Sequence, residues 1–188
     1  DPSAYGEEMA RDVARLLDQL KIPRAHIVGY SFGGRLTAKL LTMNPERFLT
    51  ATLGGSSGER TATDASRAAS EAAAVDLEKN GSFRTLILGT APIDEPRPSD
   101  EAIRERSAQL RAVNDPLALA ALYRERRGLL VTNAQMAAVR VPMLAVVGSA
   151  DAALAGVKEL QGVMPALKVV VIEGAVHPAA NPRAAQRR

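Results

Sequence analysis

The chain has 188 residues, of which 46% are apolar and 24% are charged, and this balance predicts a globular protein with one main hydrophobic core. The absence of cysteine excludes disulfides, thiol catalysis and thiolate metal ligands, and it leaves the compartment open, with a cytoplasmic location favoured. The net charge is only +3 and aromatic residues are few, which argues against a nucleic-acid partner, and no apolar run of about 18 residues indicates a membrane span.

The first 58 residues alternate helix and strand signals. Apolar residues from Met9 to Leu20 recur at helical spacing, and a short apolar strand is predicted from Ala25 to Tyr30. A second helix is predicted from Phe32 to Met43, where Asn44-Pro45 ends it, and a second strand from Phe48 to Leu53.

The middle of the chain, residues 59–139, carries helix signals without strand signals. Helix starts are predicted where capping side chains occur, at Thr63 or Asp64, at Ser99, at Asp115 before Pro116, and at Thr132 with Gln135. We interpret residues 59–139 as a helical cap inserted into a core formed by residues 1–58 and 140–188.

Strand signals return after the cap. Met143 to Gly148 and Lys168 to Ile172 are apolar strands, and a helix from Leu154 to Met164 lies between them. Strands that alternate with helices predict an α/β fold, with a parallel sheet and flanking helices. Ligands of such sheets bind beyond the carboxyl ends of the strands.

One candidate nucleophile stands between the first strand and the second helix, in Gly29-Tyr30-Ser31-Phe32-Gly33. A serine at the tip of such a turn adopts a strained backbone, and we expect glycine at 29 and 33 because side chains there would collide. The N–H of Phe32 is free to donate to an oxyanion, since it lies in the first helical turn. An ordinary glycine-flanked turn serine is the alternative interpretation of Ser31.

The G-x-S-x-G pattern occurs a second time, at Gly54 to Gly58. Residues 59–63 after it are polar and show no apolar helical stripe, so we interpret this stretch as a loop at the carboxyl edge of the sheet. Ser56 in this loop, and Tyr30 beside Ser31, are predicted to bind substrate.

The sequence contains two histidines. His26 comes at the entry side of the first strand, away from the carboxyl edge, and we interpret it as structural. His177 follows the last strand at the same edge as Ser31, and it is the candidate general base.

An acid that orients His177 is expected at a strand end. Asp151 follows Met143 to Gly148 closely and is the first candidate, although it could also serve as a helix N-cap. Asp94, in the proline-rich bend of residues 92–98, is the second candidate, but nothing places it at a strand end.

These residues and their contexts resemble the α/β-hydrolase superfamily, in the serine hydrolase and esterase type that carries a helical cap. The resemblance lies in three stretches, His26 to Gly34, Val141 to Gly148 and Ile172 to His177. It implies a Ser31, Asp151, His177 triad, an oxyanion site at the Phe32 N–H, and hydrolysis of an ester or related acyl substrate without a cofactor or metal. Lactonase, acyltransferase, carbon–carbon hydrolase and cofactor-free peroxidase activities are open within the resemblance.

The resemblance begins at the helix that precedes the first strand and the Ser31 turn. The family's earlier strands, and the loop that supplies a second oxyanion N–H, have no counterpart in this sequence. The alternative function is therefore a truncated, weakly active or inactive hydrolase-like domain that mainly binds or associates. The strand Ala25 to Tyr30 would lie at an open sheet edge, with Ile27, Val28 and Tyr30 uncovered, and we expect a homodimer through that edge.

Overall fold

A computed structural model describes residues 2–60 and 63–177 of the chain. The strands are β1 (Ala25–Tyr30), β2 (Phe48–Gly54), β3 (Met143–Gly148) and β4 (Lys168–Ile172). The helices are α1 (Glu7–Gln19), α2 (Phe32–Met43), α3 (Asp64–Asn80), α4 (Arg84–Gly89), α5 (Asp100–Arg111), α6 (Pro116–Glu125), α7 (Asn133–Ala138) and α8 (Leu154–Val163).

The strands of the described chain form one parallel sheet in the order β1-β2-β3-β4. The predicted fold class, a parallel sheet with flanking helices, is confirmed. Because all the strands run the same way, their carboxyl ends share one edge of the sheet. The turns and loops after Tyr30, Gly54, Gly148 and Ile172 therefore meet there.

The main hydrophobic core lies on one face of the sheet. Leu53, Ala145 and Val147 are at most 2% exposed, and they pack in one cluster with residues of α1, α2, α7 and α8. The pairing register places Val28 and Val170 on the opposite face, and their side chains are 75% and 48% exposed in the described part of the chain.

The strand β1 lies at the edge of the described sheet. Val28 and Tyr30 are exposed there, as expected, but Ile27 is partly buried against the main core. The difference follows from strand alternation, because Ile27 points to the face that α2 covers.

Helices α3 to α6 form a second apolar cluster of their own. Its buried members are Ala74, Leu77, Phe83, Ile87, Ile103 and Ala120. The predicted helix starts are confirmed, because the side chains of Thr63, Ser99, Asp115 and Thr132 each accept a backbone hydrogen bond at a helix start. The short helix α4 was not predicted, because its N-cap residue is Phe83, whose side chain cannot accept a capping hydrogen bond.

The segments that lead into and out of α3 to α6 are joined by a hydrogen bond. The N–H of Val131 donates to the carbonyl of Glu59 at 2.8 Å, and Glu59 pairs with Leu130 as a parallel bridge. We call this junction the neck. Met136 and Val139 lie beyond the neck and pack in the main core, on the sheet side of the molecule. The cap boundaries at 59 and 139 stay a prediction.

None of the helices in the described residues has the length and apolar character needed to span a bilayer.

Candidate active site

The backbone of Ser31 is strained. Its φ is 53° and its ψ is −112°, a conformation that a residue with a side chain rarely adopts, and it stands at the N-cap of α2. Its N–H donates to the carbonyl of Gly54 at 2.8 Å, which ties the turn to the end of β2. The predicted strained turn at the carboxyl edge of the sheet is confirmed.

The glycines around this turn have different roles from those expected. A Cβ on Gly29 would lie 2.2 Å from the carbonyl oxygen of Gly33 and 2.4 Å from the Oγ1 of Thr37, so Gly29 is required. A Cβ on Gly33 would meet nothing within 4 Å, and the expected collision there is wrong. The second required glycine is Gly34, whose Cβ would lie 2.6 Å from the Cβ of Ser56.

His177 is brought to Ser31 by the loop that follows β4. Its Nε2 lies 2.8 Å from the Oγ of Ser31 across 146 residues of sequence, and the residue is only 5% exposed. In this position a neutral imidazole with its proton on Nδ1 can accept the hydroxyl proton of Ser31.

Asp151 holds the other side of the imidazole. Its Oδ2 lies 2.8 Å from the Nδ1 of His177, while its Oδ1 accepts the N–H of Ala153 at 2.8 Å. The carboxylate therefore contacts the histidine and also caps the turn before α8, so the two interpretations of Asp151 are compatible. Burial acts to raise the pKa of Asp151, but the hydrogen bonds from His177 and Ala153 outweigh it and hold that pKa below its usual value.

Tyr30 and Ser56 both lie beside these three residues. The ring of Tyr30 is 5.2 Å from the imidazole of His177, centroid to centroid, and burial followed by the charge of Asp151 raises the pKa of Tyr30 to about 12. Ser56 is buried, and its Oγ accepts the N–H of Gly58, so the second G-x-S-x-G stretch is a loop and not a strand-to-helix elbow.

The other two candidates lie apart from this group. The Nδ1 of His26 is 2.8 Å from the Oγ1 of Thr50 on the neighbouring strand, near the amino end of β1. Asp94 is exposed in the bend of residues 92–98, and the polar partners of His177 in the described residues are Asp151 and Ser31.

Two cavities meet at Ser31. One has a volume of about 280 Å³ and is lined by all three residues of the Ser31, His177, Asp151 group and by Ser56. The other, about 460 Å³, lies between α2 and the helices α3, α4 and α6, and Phe32 lines it. Four residues line both: Ser31, Arg35, Gly89 and Thr90.

Arg35, Gly89 and Thr90 were not predicted. A signal for Arg35 was present, because it lies near the start of the helix that follows Ser31. Gly89 and Thr90 carry no such signal, since tertiary packing brings the end of α4 beside the two cavities. Among the described residues, no group of three or more His, Asp or Glu side chains could hold a metal ion.

Comparisons with known proteins agree with this architecture. A family model described as alpha/beta hydrolase fold matches residues 1–86. The chain therefore has the α/β-hydrolase fold, and the resemblance to that superfamily is confirmed. Comparison with curated proteins gives no match.

Solved structures with the same fold include a thermophilic esterase from Thermogutta terrifontis, with a TM-score of 0.76 and 19% identity over 98% of this chain and 70% of that one. The enol-lactonase from Burkholderia xenovorans has a TM-score of 0.70 and 23% identity over 97% and 69%. A structure from Nitrososphaera gargenis, from work on carboxylesterases, has a TM-score of 0.69 and 18% identity over 94% and 66%. The chain thus spans about two thirds of the length of these proteins.

Proposed function

We propose that the protein is a serine hydrolase that cleaves a carboxylic ester or a related acyl compound. The observation that carries the proposal is the chain of contacts from Ser31 through His177 to Asp151, with 2.8 Å at each step. Three solved structures of the same fold, described as esterase, enol-lactonase and carboxylesterase, support the choice of reaction class.

In the proposed reaction the Oγ of Ser31 attacks the acyl carbon while His177 takes the hydroxyl proton. Asp151 keeps the imidazole proton on Nδ1 and stabilises the imidazolium that forms. The N–H of Phe32 donates to the oxyanion, because it has no partner within the first turn of α2. His177 then returns its proton to the leaving group, and water releases the acyl group by the same steps.

Tyr30 and Ser56 are proposed to contact the substrate. Ser56 lines the smaller cavity, and the ring of Tyr30 lies against His177. The high pKa of Tyr30 keeps its phenol neutral and able to donate a hydrogen bond at ordinary pH.

Labelling with a fluorophosphonate tests the nucleophile. We expect one label per chain, attached to Ser31, and none in Ser31→Ala. Ser56→Ala is the matched control, because it removes the serine of the other G-x-S-x-G stretch, and this variant is expected to be labelled at Ser31. A wild-type protein that takes no label would favour the alternative function, a hydrolase-like domain that mainly binds or associates.

A further inference from the structure

The larger cavity beside Ser31 has an uneven charge. Its walls are mostly apolar, with Leu77, Phe83 and Leu119 among them. Two guanidinium groups also line it, those of Arg35 on α2 and Arg126 after α6, and no carboxylate does so among the described residues.

Both arginines share one counterion. The Oε2 of Glu59 lies 3.0 Å from the Nη1 of Arg35 and 2.6 Å from the Nε of Arg126. Glu59 is outside the lining of this cavity, and in the described chain it is the one carboxylate within ion-pair distance of either guanidinium. Two positive charges against one negative charge leave an excess of one positive charge at the cavity wall.

Burial and the charges around Arg35 lower the pKa of its guanidinium. Burial and then the neighbouring Arg126 lower the pKa of the Arg35 guanidinium, and Glu59 only partly opposes them. A second anion in the cavity would complete the compensation.

We propose that this cavity binds the free carboxylate of a small acyl substrate whose ester or lactone group reacts at Ser31. The inference rests on the proposed hydrolase function and names its substrate class. A guanidinium presents a planar set of N–H donors that fits a carboxylate at two points. Arg35 lies near the start of α2, directly after the turn that holds Ser31, and both residues line this cavity, so one small substrate can contact both.

The apolar walls suit the hydrocarbon between the two ends of such a substrate. Leu77 and Leu119 lie on α3 and α6, and Phe83 directly precedes α4, whereas Ser31 and Arg35 lie at the start of α2. A monoester of a short dicarboxylic acid would therefore place its carbonyl at Ser31, its methylene groups against the cap and its charge at the two arginines.

A purely structural role for the arginines predicts something different. Arg35 and Arg126 also join α2 to the end of α6 through Glu59, and a substitution that only loosened this junction would affect charged and uncharged substrates alike. Selectivity for charge is therefore the decisive measurement.

The first experiment uses the wild-type protein. Mono(4-nitrophenyl) glutarate and 4-nitrophenyl pentanoate have acyl chains of similar length, and only the first ends in a carboxylate. A second pair, 3-acetoxybenzoate and phenyl acetate, makes the same comparison with the carboxylate on the leaving group. We expect kcat/KM to be at least about tenfold higher for the charged member of one pair, as expected for a hydrogen bond to a charged group. Equal values within both pairs would overturn the inference.

The second experiment uses Arg126→Gln, with Arg104→Gln on the exposed surface of α5 as the control of equal charge change. The charged-to-uncharged ratio of kcat/KM is expected to fall about 10- to 100-fold in Arg126→Gln and to stay at the wild-type value in Arg104→Gln. An unchanged ratio in a folded Arg126→Gln protein would contradict the inference, and the wild-type comparison decides if that variant does not fold.

Failure of the two proposals is distinguishable. Labelling of Ser31 without any charge preference refutes the carboxylate site and leaves the hydrolase. Calorimetric titration of Ser31→Ala with monomethyl glutarate and with methyl pentanoate measures the affinity for each ester without turnover. Selective binding of the charged ester supports the site even if the wild type takes no label, and equal or absent binding of both esters counts against it.

Discussion

Replacing Asp151 by asparagine tests the geometry around the imidazole most directly. The carboxylate accepts two hydrogen bonds, from the Nδ1–H of His177 and from the N–H of Ala153, both at 2.8 Å. An asparagine has only one oxygen for these two donors, and its NH₂ must face the other. If that NH₂ faces Ala153, a half-buried N–H loses its acceptor, at a cost of about 1–3 kcal/mol.

The other orientation is therefore favoured by roughly 10- to 100-fold in population, at about 1.4 kcal/mol per factor of ten. In it the NH₂ donates to Nδ1, which moves the imidazole proton to Nε2, where it faces the Oγ of Ser31 and blocks proton acceptance. Loss of the carboxylate charge also removes an interaction that stabilises the imidazolium in the transition state. Together we expect turnover to fall by about 10⁴-fold, as for the same replacement in a serine protease triad.

The assay is hydrolysis of an activated 4-nitrophenyl ester, with nitrogen-15 NMR of the imidazole to locate its proton. Asp94→Asn is the control, because Asp94 lies exposed in the bend of residues 92–98, and its turnover should match the wild type. A fully active Asp151→Asn protein, or an inactive one whose proton stays on Nδ1, would refute the reasoning.

Three other predictions concern stability and assembly. Gly34→Ala should lower the free energy of unfolding by about 1–3 kcal/mol, because the new Cβ would collide with Ser56. Gly33→Ala should raise it by up to about 1 kcal/mol, because the new Cβ would lie in open space on a helix. Equal denaturation midpoints for the two variants would contradict this prediction. Because folding raises the pKa of Tyr30, the stability that its neutral phenol contributes is complete below pH 10 and is lost as pH rises from 10 to about 12. Tyr30→Phe should therefore lose less of its free energy of unfolding over this pH range than the wild type. Parallel plots of unfolding free energy against pH for the two proteins would count against this prediction. The homodimer through the β1 edge stays a prediction, which light scattering at micromolar concentration tests and a stable monomer would reject.

The sequence was sufficient to predict the sheet and the turn at Ser31. Strands are marked by short apolar runs, and the turn by Gly29 and a serine between a strand and a helix, so local patterns carry this information. The capping residues were equally local, and for this reason Thr63 and Ser99 mark helix starts in the structure.

Features that depend on packing between distant segments could not be read in this way. Arg126 and Glu59 are 67 residues apart, and nothing in either local sequence indicates that they pair. The difference between Gly33 and Gly34 likewise depends on Ser56, which approaches α2 from the loop after β2. The contact of Ser31 with His177 was expected only because parallel strands bring their carboxyl ends together.

The neck has a consequence for how this protein could be altered. Because Glu59 and Val131 are hydrogen-bonded, the 71 residues between them begin and end at nearly the same place, and joining those ends needs only a short turn with a small loop-closure cost. Helices α3 to α6 also have an apolar cluster of their own. We therefore predict that residues 60–130 can be exchanged as a module. A graft from another protein at these two points should change the helices beside Ser31, and with them the selectivity of the proposed hydrolase, while the sheet, Ser31, Asp151 and His177 keep their positions.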